Sequence, residues 1–559
     1  MRRLAVCASL ALAVALAGCG APPPKSASAA PVAAPAPKGP PRLIVAISVD
    51  QFSADLFAQY RRHYTHGLAR LQQGAVFPSG FQSHAATETC PGHSTLLTGT
   101  HPARNGIIAN NWFDLSLERA DKRVYCAEDV TDPASTSRDP VVSARNLKVP
   151  TLGELMKAAN PATRNVAVSA KDRAVMMMGG HRIDAAYWWK NGEFVTLKGR
   201  EISPAAAAQN VAVASLLKTG APALALPAFC AGADHAVTVG KGALGTGRFA
   251  LEPGKPDGVR ISPRMDQLTV ELANRLVDEM DLGKGLAPDI LSVSLSATDY
   301  IGHATGTNGS EICIQMAELD KAVGALLDHL DSRGLDYAVV LTSDHGGLDM
   351  PERASQQAVP RAVRVDKSLG VRELAAQITA RTGISSPAGP LLYSDGGEYY
   401  VNRALAPAQK AEVVKALVAV LRAHPQVAAA YTADEMAKTP LPTGNPQDWS
   451  IRDRTRASFD ASRSGDVLIL LDRAVTPIPE PMPGAYVATH GSVFDYDRRV
   501  PMLFWRSGMS GFEQPAPVET VDIAPTLAAW LGLKVSEGMF DGRCLDLDGG
   551  AGNTCGASQ

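Results

Sequence analysis

The 559-residue sequence carries almost no net charge: Lys and Arg number 54, Asp and Glu 56, for a formal charge of -2. A long basic run is also missing. Together these absences remove the usual grounds for a nucleic-acid platform and leave charge silent about the substrate. The apolar run Leu4–Ala17 is shorter than the about 20 residues that a membrane-spanning helix needs. There is no internal repeat, which sets aside solenoids and propellers. What is present is the composition of a globular protein, 45% hydrophobic. The length suits one large catalytic body with a sizeable insertion, or roughly two to four units.

The N-terminus reads as an export signal over residues 1–19: basic Met1-Arg2-Arg3, apolar Leu4–Ala17, then Leu16-Ala17-Gly18-Cys19. The last four residues resemble the bacterial lipobox, which implies cleavage before Cys19 and a lipid anchor to the membrane on its thiol. A plain signal peptide cut nearby is the alternative, and either predicts an exported, periplasmic protein. Residues 20–41 are almost wholly Ala, Pro, Ser, Gly and Lys, a composition that cannot bury a core and predicts an extended tether. Six of the eight cysteines lie in the body beyond it. An even number in an oxidising compartment predicts up to three disulfides, with many connectivities open. The pairing expected is Cys544–Cys555, which bracket a Gly-rich tail, with Cys90–Cys126 and Cys230–Cys313.

The body, residues 42–559, repeats one grammar. Continuous apolar runs of the kind expected for doubly buried parallel strands end in polar or chelating residues. Leu43–Val49 ends at Asp50, Asn165–Ala170 at Lys171-Asp172-Arg173, Ile290–Leu295 runs toward Asp299, and Ala338–Ser343 ends at Asp344-His345. Helical patterns such as Met316–Leu330 lie between them, so the predicted class is α/β, a mostly parallel sheet flanked by helices. In such folds ligands collect beyond the carboxyl ends of strands, which predicts one site at one sheet edge. Two stretches interrupt the rhythm, at about 174–266 and 351–483, and are expected to be insertions capping that edge. Val467–Leu471 and Pro501–Trp505 read as late core strands. Gly240-Lys241-Gly242-Ala243-Leu244-Gly245 matches a dinucleotide fingerprint, but no helix opens after it.

Ala86–Gly99, closing at Asn110, supplies a threonine, Thr89, in a Gly- and Thr-rich loop. A threonine hydroxyl is a weak nucleophile unless a base or a cation favours its alkoxide, and no base stands in this stretch. Cations could be held elsewhere. Asp299 and His303 are four apart, Asp344 and His345 adjacent, and His490 sits in the Gly-flanked loop Thr489-His490-Gly491-Ser492. Mixed Asp and imidazole donors suit zinc rather than magnesium or manganese, which prefer oxygen-rich shells. Two cations flanking a nucleophile make a phosphoryl-transfer layout.

These residues resemble the alkaline phosphatase superfamily, in particular its PafA-type members. The resemblance spans Arg42–Leu533 and is strongest at Val49-Asp50-Gln51, Ala86–Asn110, Ser169–Arg173, Thr298–His303, Ser343–Gly346 and Thr489–Ser492. Nucleotide pyrophosphatase/phosphodiesterases share the Thr-x-Pro-x-His pattern, here Thr89 to His93. The resemblance implies that Asp50, Thr89, Asp344 and His345 surround one zinc and that Asp299, His303 and His490 bind a second. It also implies a phosphothreonine intermediate on Thr89, with Asn110, Lys171 and Arg173 on the non-bridging oxygens and His93 structural. Lys171 and Arg173 favour a monoester dianion, whose additional charged oxygen a cationic pair can grip. The expected protein is a monomeric alkaline phosphatase acting on small phosphate monoesters, with some activity toward diesters. A nucleotide phosphodiesterase is the nearest enzyme alternative, and a zinc-binding lipoprotein the non-enzyme one.

Overall fold

The computed structural model describes residues 39–357, 359, 361–484 and 486–556. The predicted signal, Cys19 and the tether up to residue 38 lie outside these residues.

The strand Leu43–Val49 is buried along its whole length and lies between two parallel partners, Asp289–Leu295 and Tyr337–Thr342. Its alternate residues face opposite ways, as the period of two requires. Leu43, Val45, Ile47 and Val49 join one apolar cluster, packed with Leu268 and Leu272 of the helix Arg264–Glu279 and Leu319 and Val323 of the helix Ser310–Ser332. Ile44 and Ala46 join another, with Leu96, Leu97, Ile523 and Leu527. The sheet is therefore covered by helices on both faces, which is why its central strands read as unbroken apolar runs.

Ten strands make this sheet. From Leu43–Val49, one direction continues through Asp289–Leu295, Asn165–Ser169 and Ala185–Lys190, all parallel, to an antiparallel edge at Glu193–Val195. The other passes Tyr337–Thr342 to Arg499–Arg506 and Ala75–Phe81, each antiparallel to its neighbour. The class is the expected α/β.

Two expectations need correction. Val467–Leu471 is a strand, but it belongs to a separate four-stranded sheet with Leu392–Asp395, Glu398–Val401 and Val427–Thr432. Its apolar residues pack beneath the helices Val371–Thr382 and Pro407–Arg422. An apolar run reveals that a strand is buried, not which sheet buries it. Likewise, the stretch 174–266, expected to be a cap, contributes Ala185–Lys190 and Glu193–Val195 to the main sheet. The matched fingerprint at Gly240–Gly245 is a hairpin, Val237–Val239 against Gly242–Leu244, turning at Gly240 with φ +56°.

Candidate active site

The site forms beyond the carboxyl ends of the parallel strands. Asp50 continues Leu43–Val49 by one residue, its N–H still bonded to the Leu295 carbonyl at 2.9 Å. The chain then turns through Gln51 at φ 63°, a conformation that costs a non-glycine residue free energy. That turn is held from both sides: the Gln51 N–H donates to Asp344 Oδ1 at 3.2 Å and its side-chain amide to Asp299 Oδ1 at 3.0 Å. Gln51 thus ties three strand ends together.

Thr89 is the first residue of the helix Thr89–Thr98, all of which is buried. Pro91 is tolerated because it falls in the first turn, where backbone N–H groups lack helical partners anyway. Gly92 is required by contact, since a Cβ there would meet the Asp344 carbonyl oxygen at 2.0 Å. The helix therefore sits directly on the strand end that carries Asp344 and His345.

Two clusters of donors flank Thr89. In each of the groups Asp50, Asp344, His345 and Asp299, His303, His490, one ligand atom per residue lies within 4.8 Å of the others. All three imidazoles are oriented alike. Nδ1 faces a backbone carbonyl in His345 (Gly346, 2.8 Å), His303 (Ala488, 2.9 Å) and His490 (Thr87, 2.7 Å). A carbonyl only accepts, so each Nδ1 carries a proton and each Nε2 is the nitrogen left to face the donor cluster. Those nitrogens point at carboxylates: His345 Nε2 is 3.4 Å from both Asp50 Oδ1 and Asp344 Oδ2, and His303 and His490 Nε2 are 3.2 and 3.5 Å from Asp299 Oδ1. Asp50 Oδ1 and His345 Nε2 are fully buried without a hydrogen-bond partner. Burial, then the charges of Asp299 and Asp344, push the Asp50 carboxyl well above its usual range, and burial lowers His345 to about 3. Convergent lone pairs in a dry site are costly unless a cation lies between them, so these residues fit metal binding.

Lys171 and Arg173 arrive from the end of Asn165–Ser169. Lys171 Nζ lies 2.5 Å from Asp50 Oδ2, 2.5 Å from Asp299 Oδ2 and 3.4 Å from Thr89 Oγ1. Burial opposes its charge, but Asp299 and Asp50 outweigh this and raise its pKa, so it stays an ammonium. Arg173 Nη2 stands 3.4 Å from Thr89 Oγ1. Asn110 accepts the Cys90 N–H through Oδ1 at 2.8 Å, which leaves its amide NH₂ free, and its own N–H donates to Glu88 Oε2 at 2.7 Å. His93 lies in neither donor group; it bonds the Thr89 carbonyl, Asp344 Oδ2 and Ser294 Oγ.

All ten candidate residues thus meet at these strand ends, and four of them, Asn110, Arg173, His303 and His490, line a cavity of about 1150 Å³. Its far wall is supplied by the four-stranded sheet and the Pro477–Met482 segment. The disulfides are Cys90–Cys126, Cys230–Cys313 and Cys544–Cys555, the expected pairing. Sequence reading missed Gln51 as a brace and Glu88 as the anchor of Asn110. Neither carries a local signal, because each acts through partners distant in sequence or through backbone groups.

The model of the type I phosphodiesterase/nucleotide pyrophosphatase family matches residues 44–493. Alkaline phosphatase PhoK of a Sphingomonas species is 53% identical over 521 residues, covering 92% of this chain and 93% of the relative. Alkaline phosphatase PhoD of Zymomonas mobilis is 48% identical over 523 residues, covering 92% and 89%. The crystal structure of wild-type alkaline phosphatase PafA superposes with a TM-score of 0.78 at 24% identity, over 90% of this chain and 98% of that one, a likeness of fold. With residues 44–493, more than two thirds of its length, matched, the chain belongs to the type I phosphodiesterase/nucleotide pyrophosphatase family.

Proposed function

We propose that this protein is an exported alkaline phosphatase that hydrolyses phosphate monoesters through a covalent phosphothreonine on Thr89, at a site holding two zinc ions. The observation that carries this reading is the pair of cations, Lys171 and Arg173, each 3.4 Å from the Thr89 hydroxyl. Asp50, Thr89, Asp344 and His345 would hold one zinc, and Asp299, His303 and His490 the other. Bound zinc would supply the positive charge that favours the threonine alkoxide and offsets charge on the departing oxygen.

The chain's own groups do the rest. Thr89 Oγ bonds to phosphorus as the ester bond to the alcohol breaks. Water then attacks the phosphothreonine, the Oγ–P bond breaks, and orthophosphate and free threonine result. Lys171, Arg173 and the free amide of Asn110 grip the non-bridging oxygens, and Arg can do so with parallel hydrogen bonds. Such preorganised charge is what phosphate monoesters demand, their uncatalysed hydrolysis being among the slowest known reactions. A diester places an alkyl group where one charged oxygen would be gripped, so the pair favours monoesters.

Export is supported by three disulfides, which persist in oxidising compartments. No helix among the described residues is long and apolar enough to cross a membrane. The proposed attachment is the lipid on Cys19, and the proposed state is a monomer.

The deciding experiment compares turnover of 4-nitrophenyl phosphate and bis(4-nitrophenyl) phosphate, coupled to metal analysis before and after chelation. Monoester preference and loss of activity with zinc are expected. Preference for the bis-ester would favour a phosphodiesterase, and full activity in metal-free protein would overturn the mechanism.

A further inference from the structure

The small hairpin of Asn111–Phe113 and Arg123–Tyr125 pairs Asn111 with Tyr125 at its open end. That end adjoins the phosphate-gripping groups. Asn110 precedes the first strand, and its carbonyl accepts the Cys126 N–H at 3.0 Å. Cys126 is bonded in turn to Cys90, the residue after Thr89. Tyr125 reaches across to the other grip. Its hydroxyl donates to Asp172 Oδ1 at 2.5 Å, the same oxygen that accepts the Arg173 N–H at 2.6 Å, so Tyr125 and the helix start that carries Arg173 share one carboxylate.

We propose that Tyr125 is a positioning residue that, through Asp172, fixes the point from which the Arg173 guanidinium reaches the transferred phosphoryl group and thereby sets the preference for monoesters over diesters. This rests on the phosphatase reading above. A free arginine side chain gives up about 2 kcal/mol of rotamer entropy when it is ordered. An arginine whose backbone N–H is pinned by the carboxylate that the phenol also holds starts from a fixed origin, so less of that cost falls on substrate binding. The hold persists in alkaline solution. Burial and then the charge of Asp172 push the Tyr125 phenol well above its ordinary pKa, so it keeps the proton it donates. Tyr125 acts only through Arg173. Its influence should therefore appear on substrates that Arg173 grips and vanish on those it does not.

The test uses the full chain, zinc-loaded, with kcat/KM measured for 4-nitrophenyl phosphate and its bis-ester. Tyr125→Phe keeps the ring and removes the bridging oxygen. It is expected to lower the monoester value about tenfold, the loss of one hydrogen bond to a charged group, and the bis-ester value less than about twofold. In an Arg173→Ala background the same change should have no further effect on the monoester. Equal losses on both substrates, or a full additional loss without Arg173, would overturn the proposal. Should Tyr125→Phe not fold, Asp172→Ala removes the carboxylate that both groups share and carries the same two expectations. A wild-type protein that prefers the bis-ester refutes the phosphatase reading instead, whereas a wild-type monoesterase indifferent to both changes refutes only the role of Tyr125.

Discussion

Lys171 and Asp299 form an ion pair of 2.5 Å, and the same ammonium is 2.5 Å from Asp50, so one lysine joins the two donor clusters. At 2% exposure, this charge is stranded if its partners leave, and theirs if it leaves. The Lys171→Ala/Arg173→Ala double variant should lose about 100-fold or more in kcat/KM on a nitrophenyl monoester and much less on the bis-ester. Parallel rate measurements on both substrates check this, and equal losses would count against oxygen gripping.

Thr89→Ala should abolish turnover while zinc content stays within reach of wild type, because six other ligands remain. Metal analysis of the purified variant separates this from collapse of the site. Retained turnover would remove Thr89 as nucleophile.

Chelation should lower stability as well as activity. Without metal ions, Asp50, Asp299 and Asp344 converge in a dry site with Lys171 as the ammonium between Asp50 and Asp299, and burial and the other two carboxylates still push Asp50 far up. Binding of a ligand to the folded state alone adds about 2.7 kcal/mol at a hundredfold excess over Kd. A thermal melt with and without chelator should therefore show a drop of several degrees, restored by added zinc. An unchanged midpoint would mean the clusters hold no metal.

Stability should also fall on the alkaline side for a reason outside the site. His101 sits between Glu519, 3.0 Å from Nε2, and Asp541, 3.4 Å from Nδ1. Burial disfavours its charge, but bonds to Asp541 and Glu519 prevail and raise its pKa from 6.5 to about 9. A raised pKa stabilises fully below the unfolded value and is lost as pH climbs through the folded one. The contribution of His101 is thus complete below about pH 6.5 and gone above about pH 9. His101→Gln should be less stable than wild type by about 2 kcal/mol near pH 6, with the gap closing by pH 10. Denaturant titrations across this range measure it, and a gap independent of pH would exclude the ion pairs as its cause.

Much of the site was legible in the chain because its signals are local. Asp50, Lys171 and Asp344 each stand one or two residues past an apolar strand, and Asp299 and His303 are one helical turn apart on Ala297–Thr305. Strand burial and helix spacing are short-range facts, so the α/β class and the donor types could be read from residue order. The place of Val467–Leu471 could not, since pairing is chosen among partners distant in the chain and depends on what packs above each sheet.

By itself, then, the sequence determined the alternation of strands and helices, the residues able to bind metal, and the threonine able to be a nucleophile. Only the tertiary structure decided that these groups converge, that each imidazole turns Nε2 inward, that Lys171 spans both clusters, and that Tyr125 shares the Asp172 carboxylate with the Arg173 backbone. Side-chain direction in a buried site follows from which carbonyl, carboxylate or phenol stands opposite, and those partners come from segments up to about 400 residues away, as with His490 and Thr87 at a separation of 403.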